Sequence, residues 1–120
     1  MPISLEPEGN RIYRVEMSGV MRKADLDRSQ IELAMEMRRV GTVKLLCVLK
    51  DFQGWEPHSG WNDLTFYVKH GGAIDRIAIV GDEQWRSEAL MFAAAGLRRG
   101  PVQYFSGTDL DAARAWLAAA

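Results

Sequence analysis

The sequence predicts a single α/β domain: a mixed sheet of about five strands with flanking helices, in the order β-β-α-β-α-β-α-β-α. Three observations carry that expectation. Tyr13, Val15 and Met17 alternate with Arg14 and Glu16, the period of a strand with one buried face. "VKLLCVL" (43–49) and "IDRIAIV" (74–80) are nearly continuous apolar runs, as central strands covered on both faces require. Between the early strands and the first of these runs, residues 23–40 switch to a helical period. Successive β-α-β crossovers favour parallel strands with right-handed connections, whereas an opening hairpin adds an antiparallel pair.

Taken in order, Ile3 and Leu5 alternate with polar residues before Pro7, "EGN" forms a turn, and the return strand runs until Gly19 ends it. In the first helix Leu26, Leu33, Met37 and Val40 share a stripe that Ile31, Ala34 and Met35 widen, and Gly41 serves as its C-cap. After the 43–49 strand, Ser59 can N-cap a helix whose apolar side is Trp61, Leu64 and Val68, with Asp63 in its first turn and Gly71-Gly72 as its stop. Asp82 is the expected N-cap of a helix reaching about Leu97. "RRGP" breaks that helix, "VQYF" is a short last strand, and Thr108 or Asp109 caps a terminal helix ending near Ala119. No repeat or linker interrupts the series, so residues 1–120 read as one domain.

Fifteen basic and sixteen acidic residues give a formal charge of −1, with no overall pull toward nucleic acid. Nucleic acid is therefore not an expected partner. The one cysteine, Cys47, allows no intramolecular disulfide and reads as a buried, inert thiol. The first ten residues lack the pattern of a secretory signal, and no apolar run approaches the roughly 20 residues that span a bilayer. A cytoplasmic protein is expected, with peripheral membrane contact as a further option.

In open α/β sheets, ligands gather outside the carboxyl ends of the parallel strands. The 43–49 strand leads into Asp51, Phe52, Trp55, His58 and Trp61, and the 74–80 strand leads into Asp82 and Trp85. If those strands are parallel neighbours, three tryptophans and two carboxylates meet at one end of the sheet. Each has an ordinary structural role as well: Asp51 bonding a turn, Asp82 capping a helix, Trp61 and Trp85 as lids on first helical turns. Trp55 has the strongest claim to a partly exposed contact. The Leu90–Leu97 stretch is apolar over most of its circumference, which suits a doubly packed helix or one that meets a lipid, a ligand or a second subunit.

Chemical signatures are missing. One cysteine and two separated histidines, His58 and His70, do not compose a zinc site, and no metal or cofactor is expected. Neither a nucleophile elbow, a C-x-x-C pair, a P-loop nor a dinucleotide fingerprint occurs. Asp51 follows a central strand as a phospho-acceptor would, but the acidic cluster and late lysine of receiver chemistry are absent. Ser59 followed by Gly60 is a weak nucleophile candidate.

With those residues in view, the chain resembles the SpoIIAA-like family. "LLCVLKDFQGWEP" resembles that family's apolar run followed by D-F-x-G-W, and "RIAIVGDEQW" its apolar strand followed by G-D-x-x-W. "RVEMSGV" and "ARAWLAA" fit the same pattern, so the resemblance spans essentially the whole chain. It implies a STAS-type fold and binding of small hydrophobic or amphipathic ligands, with association to membranes. Asp51, Phe52, Gly54 and Trp55 match the first motif, and Gly81, Asp82 and Trp85 the second. True anti-sigma antagonists carry a phosphorylated serine or threonine at the start of the helix after the central strand, typically in D-S-S-G-L. Ser59 lies in roughly that place, but "PHSGW" lacks the preceding acid.

The expected function is a non-enzymatic binding module. Phe52, Trp55, Trp61, Trp85 and Phe92 would wall a pocket for a lipid-like molecule, and Asp51, His58 and Asp82 would lie at its polar margin. The alternative is a regulatory interaction module switched by phosphorylation at Ser59. An early edge strand and the 90–97 stretch each offer a surface for a homodimer.

Overall fold

The structure is a computed structural model that describes residues 3–56, 71–93, 100–107 and 109–119. Five strands form one sheet: β1 (Ile3–Gly9), β2 (Ile12–Met21), β3 (Val43–Trp55), β4 (Ile74–Gly81) and β5 (Val102–Ser106). They lie in sequence order across it, with β1 antiparallel to β2 and every later pair parallel. Among the described residues three α-helices accompany them: α1 (Lys23–Val40), α2 (Arg86–Phe92) and α3 (Leu110–Ala118). The expected mixed, five-stranded α/β architecture is the one observed. The helix expected after Ser59 lies outside the described residues.

The strand order decides which face each helix covers. A right-handed crossover that always steps to the next strand on the same side returns over the same face of the sheet. α1 and α2 accordingly share one core: Leu33 and Met37 from α1 and Ala89 and Ala93 from α2 and its cap pack with Tyr13, Val15, Leu45, Ile77 and Ile79. The other face falls to α3, whose Ala113 and Leu117 are fully buried against Leu46, Val48, Ala78 and Val80. Residues of β3 and β4 thus alternate between two dry cores, which is why both strands read as apolar runs. In β2 the second side is apolar only at Ile12, which joins the α3 core, and beyond it Arg14 pairs with Glu16 at 2.8 Å.

Local chemistry explains the boundaries. Asn10 and Arg11 both adopt left-handed backbone (φ 54° and 62°), the requirement of a tight two-residue hairpin turn. Gly41, at φ 88°, closes α1 by donating its N–H to the Met37 carbonyl at 2.8 Å. Asp82 caps the 3-10 turn Glu83–Trp85 that leads into α2, accepting from the Gln84 N–H at 3.1 Å. Asp109, rather than Thr108, is the described cap of α3, accepting from the Ala112 N–H.

Four expectations are corrected. Gly19 does not end the second strand: with φ 65° it sits in an irregularity, and β2 continues to Met21. β3 runs to Trp55, so Asp51, Phe52 and Trp55 belong to a strand and not to a loop. Ile31 and Met35 do not widen the buried stripe of α1, being 64% and 60% exposed, because that helix packs on a narrow line through Leu26, Leu33 and Met37. Finally, α2 ends at Phe92, with Ala93 as its C-cap, and residues 94–99 lie outside the description.

Arg76 is one of the side chains that tie α3 to the sheet. Arg76 on β4 donates to the Trp116 carbonyl at 2.7 Å, and its guanidinium lies 4.8 Å from the centroid of the Trp116 ring. Arg76→Ala is expected to lower unfolding free energy by about 1–2 kcal/mol, the sum of a partly exposed cation–π contact and a hydrogen bond. Urea denaturation followed by far-ultraviolet circular dichroism measures this, and an unchanged midpoint would show that the Arg76 contacts add nothing to the hold on α3.

Candidate functional site

At the carboxyl end of β3 the ladder to β2 slips twice. Met17, Gly19 and Met21 face Leu49, Phe52 and Trp55, so each two-residue step on β2 is matched by three residues on β3. Asp51 (φ 51°) stands in the first irregularity and Gly54 (φ 105°) in the second. Aspartate is among the few side-chain-bearing residues that tolerate the left-handed region, and the more extreme φ of Gly54 suits glycine. A regular strand would turn Leu49 and Phe52 to opposite faces. Two inserted residues bring Leu49, Phe52 and Trp55 onto the same face instead, the one covered by α1 and α2.

Trp85 meets them from the exit of β4. Its backbone N–H donates to the Asp82 carbonyl at 3.0 Å, and Tyr104 from β5 donates its hydroxyl to the same carbonyl at 2.6 Å. Gly81 allows Tyr104 to reach that far: a Cβ there would fall 2.8 Å from the Tyr104 oxygen and 2.9 Å from the Leu49 Cβ. Phe52, Trp55 and Trp85 then form a mutually perpendicular trio. Centroid separations are 4.8 Å for Phe52–Trp55, 5.1 Å for Phe52–Trp85 and 6.0 Å for Trp55–Trp85. Such edge-to-face pairs contribute about 0.5–1.5 kcal/mol each beyond their buried area.

Beneath the trio is a small cavity of about 60 Å³ between the sheet and the two crossover helices. Leu26 of α1, Leu45, Cys47 and Trp55 of β3, Ile79 of β4 and Ala89 of α2 are among its lining. Of the three aromatic residues, Trp55 alone reaches it. Cys47 is half-buried as a residue, but its thiol is enclosed, and burial pushes its pKa from 9.0 up to about 12. Burial also pushes the Tyr104 hydroxyl from 10.0 up to about 12, reinforced by the nearby Asp82 and Glu83 carboxylates.

The expected site residues divide clearly. Phe52, Trp55 and Trp85 are brought together, and β3 and β4 are parallel neighbours as the clustering required. Asp51 and Asp82 are exposed at the same sheet end, Asp82 as a cap. His58, Ser59 and Trp61 lie outside the described residues, as does the side chain of Phe92. Among the described residues no group of three His, Cys, Asp or Glu side chains could hold a metal ion. The cavity-lining Leu26, Cys47 and Ala89 did not stand out as site residues in the sequence, because in an apolar stripe nothing distinguishes a residue facing a void from one facing a neighbour.

Five strands in sequence order, one antiparallel pair and three parallel pairs, define a mixed α/β domain with an aromatic carboxyl end. The SpoIIAA-like family pattern matches residues 12–118, and the chain belongs to that family. Among solved structures, an uncharacterized protein from Shewanella loihica PV-4 with a SpoIIAA-like fold superposes with a TM-score of 0.73 at 23% identity, over 96% of this chain and 91% of that one. No curated protein matches the chain.

Two outcomes follow from this geometry. Gly54→Ala forces a Cβ into a backbone region disfavoured for alanine and to 3.4 Å from the Trp85 ring. It should cost about 1–3 kcal/mol of stability and weaken the near-ultraviolet dichroism of the tryptophans, which denaturation and circular dichroism measure together. The Cys47 and Tyr104 pKa values are raised in the folded protein, so the folded state holds those protons longer. Their stabilisation is whole below about pH 9 and is lost as pH rises toward 12. Alkylation of Cys47 at pH 8 should be about a thousandfold slower in the folded than in the urea-unfolded chain. Equal rates would place the thiol in solvent.

Proposed function

We propose that the chain is a non-enzymatic binding module that takes a small hydrophobic or amphipathic molecule into the cavity under Trp55. The observation that carries this reading is an apolar void beside three perpendicular aromatic rings at the carboxyl end of a parallel sheet, the end where open α/β sheets commonly hold ligands. The void is lined by aliphatic side chains, the indole of Trp55 and one protonated thiol. Such a space disfavours water, which needs two to four polar partners to be held. It favours a hydrocarbon group.

Size sets the mechanism. About 60 Å³ is less than the roughly 150 Å³ that accommodates benzene in an engineered protein cavity, so an acyl chain enters only if the walls part. The walls most able to part are helical. α2 has seven residues and contributes Ala89 to the cavity, with Ala93 at its cap, so a small displacement removes little packed surface. β3, hydrogen-bonded on both sides, is the fixed wall. In this reading Trp55 packs along the bound chain, while Asp51 and Asp82 stay in water near a polar headgroup. No described helix is long and apolar enough to cross a membrane, so contact with a bilayer would be peripheral. Val20, 44% exposed near the carboxyl end of β2, is an apolar side chain available for it. The switch at Ser59 rests on a residue outside the description, and nothing in the described geometry favours it.

Titration of the protein with oleic acid, followed by tryptophan fluorescence, tests the reading alongside native mass spectrometry of gently purified material. Saturable emission change and a bound mass are expected, with affinity falling about tenfold or more in Trp55→Ala and in Ala89→Trp, which fills the void. Absence of both a bound mass and any emission change would overturn it.

A further inference from the structure

At the amino end of the parallel strands a second concavity opens between the outermost strand and α1. It has a volume of about 400 Å³ and is lined by Leu5, Pro7, Tyr13, Glu32, Met35 and Glu36. Three properties coincide there. First, β1 is the last strand of the sheet and pairs with β2 only, so among the described residues its outer row of backbone N–H and C=O groups is unpaired. Second, the rim is apolar: Met35 is 60% exposed, and Ile31, one turn earlier on α1, is 64% exposed. Third, the surroundings are acidic. Glu32 and Glu36 line the groove, while Glu6 and Glu8 of β1 project to the opposite face of the sheet, where Glu6 stands across the ladder from Arg14.

The carboxylates are not equivalent. Glu8 accepts two hydrogen bonds from Arg114 at 3.0 Å each, and Glu36 accepts from Tyr13 at 2.8 Å and from Arg39 at 2.7 Å. Glu6 and Glu32 have no ion-pair or hydrogen-bond partner among the described residues. One free carboxylate therefore stands on the edge strand itself and one on the groove rim. β1 carries no basic residue to answer them. A second copy of the chain, pairing edge to edge, would bring the same glutamates to the same groove. Like charges across paired strands destabilise.

We propose that this edge and groove receive an extended peptide segment in which basic and apolar residues alternate. Added as a further strand beside Ile3–Glu6, such a segment turns alternate side chains to opposite faces of the sheet. Ile3 and Leu5 face the core shared with α1, so the apolar residues of the guest lie over Leu5, Tyr13 and Met35. Its basic residues fall on the other face, beside Glu6, and a basic terminus meets Glu32. Main-chain hydrogen bonds supply affinity in this mode, and the alternate side chains supply selectivity. Pro7 has no N–H to give and confines the added strand to the residues before it. The surface is separate from the cavity under Trp55, and its occupancy does not depend on that cavity.

The test uses a monomeric octapeptide alternating valine with lysine, titrated at low salt into the full chain labelled with nitrogen-15. Valine–glutamate and serine–lysine octapeptides serve as controls. Amide shifts are expected at residues 3–6 and along α1 beside Met35, with neither control binding comparably. Glu6→Lys should weaken the complex roughly fivefold and Met35→Lys roughly tenfold, while Trp55→Ala leaves it unchanged. Both weakening substitutions are on exposed side chains, and the amide spectrum itself verifies the fold. Binding of the serine–lysine peptide with equal strength, shifts scattered across the surface, or no shifts at all would overturn the proposal. So would β1 shifts that follow self-association in sedimentation without peptide.

Discussion

Two inserted residues near the end of β3 govern the aromatic end of this molecule. A strand offers its side chains to alternate faces, and three-residue spacing would send Leu49, Phe52 and Trp55 up, down and up. Each irregularity against β2 resets the alternation, so all three point toward the helices. The backbone consequence is concentrated in Asp51 and Gly54, both with positive φ. The side-chain consequence is the perpendicular trio with Trp85. Gly54 is required there by its backbone: its φ of 105° permits the second insertion, and the Trp85 ring packs beside it.

Strand order imposes the other large constraint. A sheet that grows in one direction puts its right-handed crossovers on one side and leaves the opposite side open. α3 closes that side across β3, β4 and β5, and it is held there by Leu117, Ala113 and the Arg76–Trp116 contact. β2 adds Ile12 to that core, and farther out on β2 and β1 ion pairs replace apolar contact: Arg14 with Glu16, and Arg114 of α3 reaching back to Glu8. The sheet therefore has one fully apolar face and one that grades from core to charge. Ionic partners suit the outer part because water is near and pair formation there costs little desolvation.

The cavity and the outer groove differ in the same physical terms. One is apolar and small, with a thiol held protonated by burial. The other is larger and is lined by Glu32 and Glu36, of which Glu32 has no ion-pair or hydrogen-bond partner among the described residues. An apolar guest suits the first because it displaces no well-bonded water. A cationic, extended guest suits the second because an edge strand supplies unmet hydrogen bonds and the surrounding charge selects its sign.

Much of this was legible in the amino-acid order, and the residues show why. The span of α1, its Gly41 cap, the two central strands and the capping roles of Asp82 and Asp109 are local matters of period, φ preference and side-chain oxygen placement. The resemblance carried by "DFQGW" and "GDEQW" located Phe52, Trp55 and Trp85 and led to the SpoIIAA-like family. What the sequence could not decide is non-local. Gly19 and Asp51 look like ends of strands, and only pairing with a neighbour turns them into bulges within continuing ones. Ile31 and Met35 look like core, and only the narrow seat of α1 on the sheet leaves them in water. Composition and period report what a segment prefers by itself. Register, void and exposure are properties of two segments brought together, and they were decided by the tertiary structure.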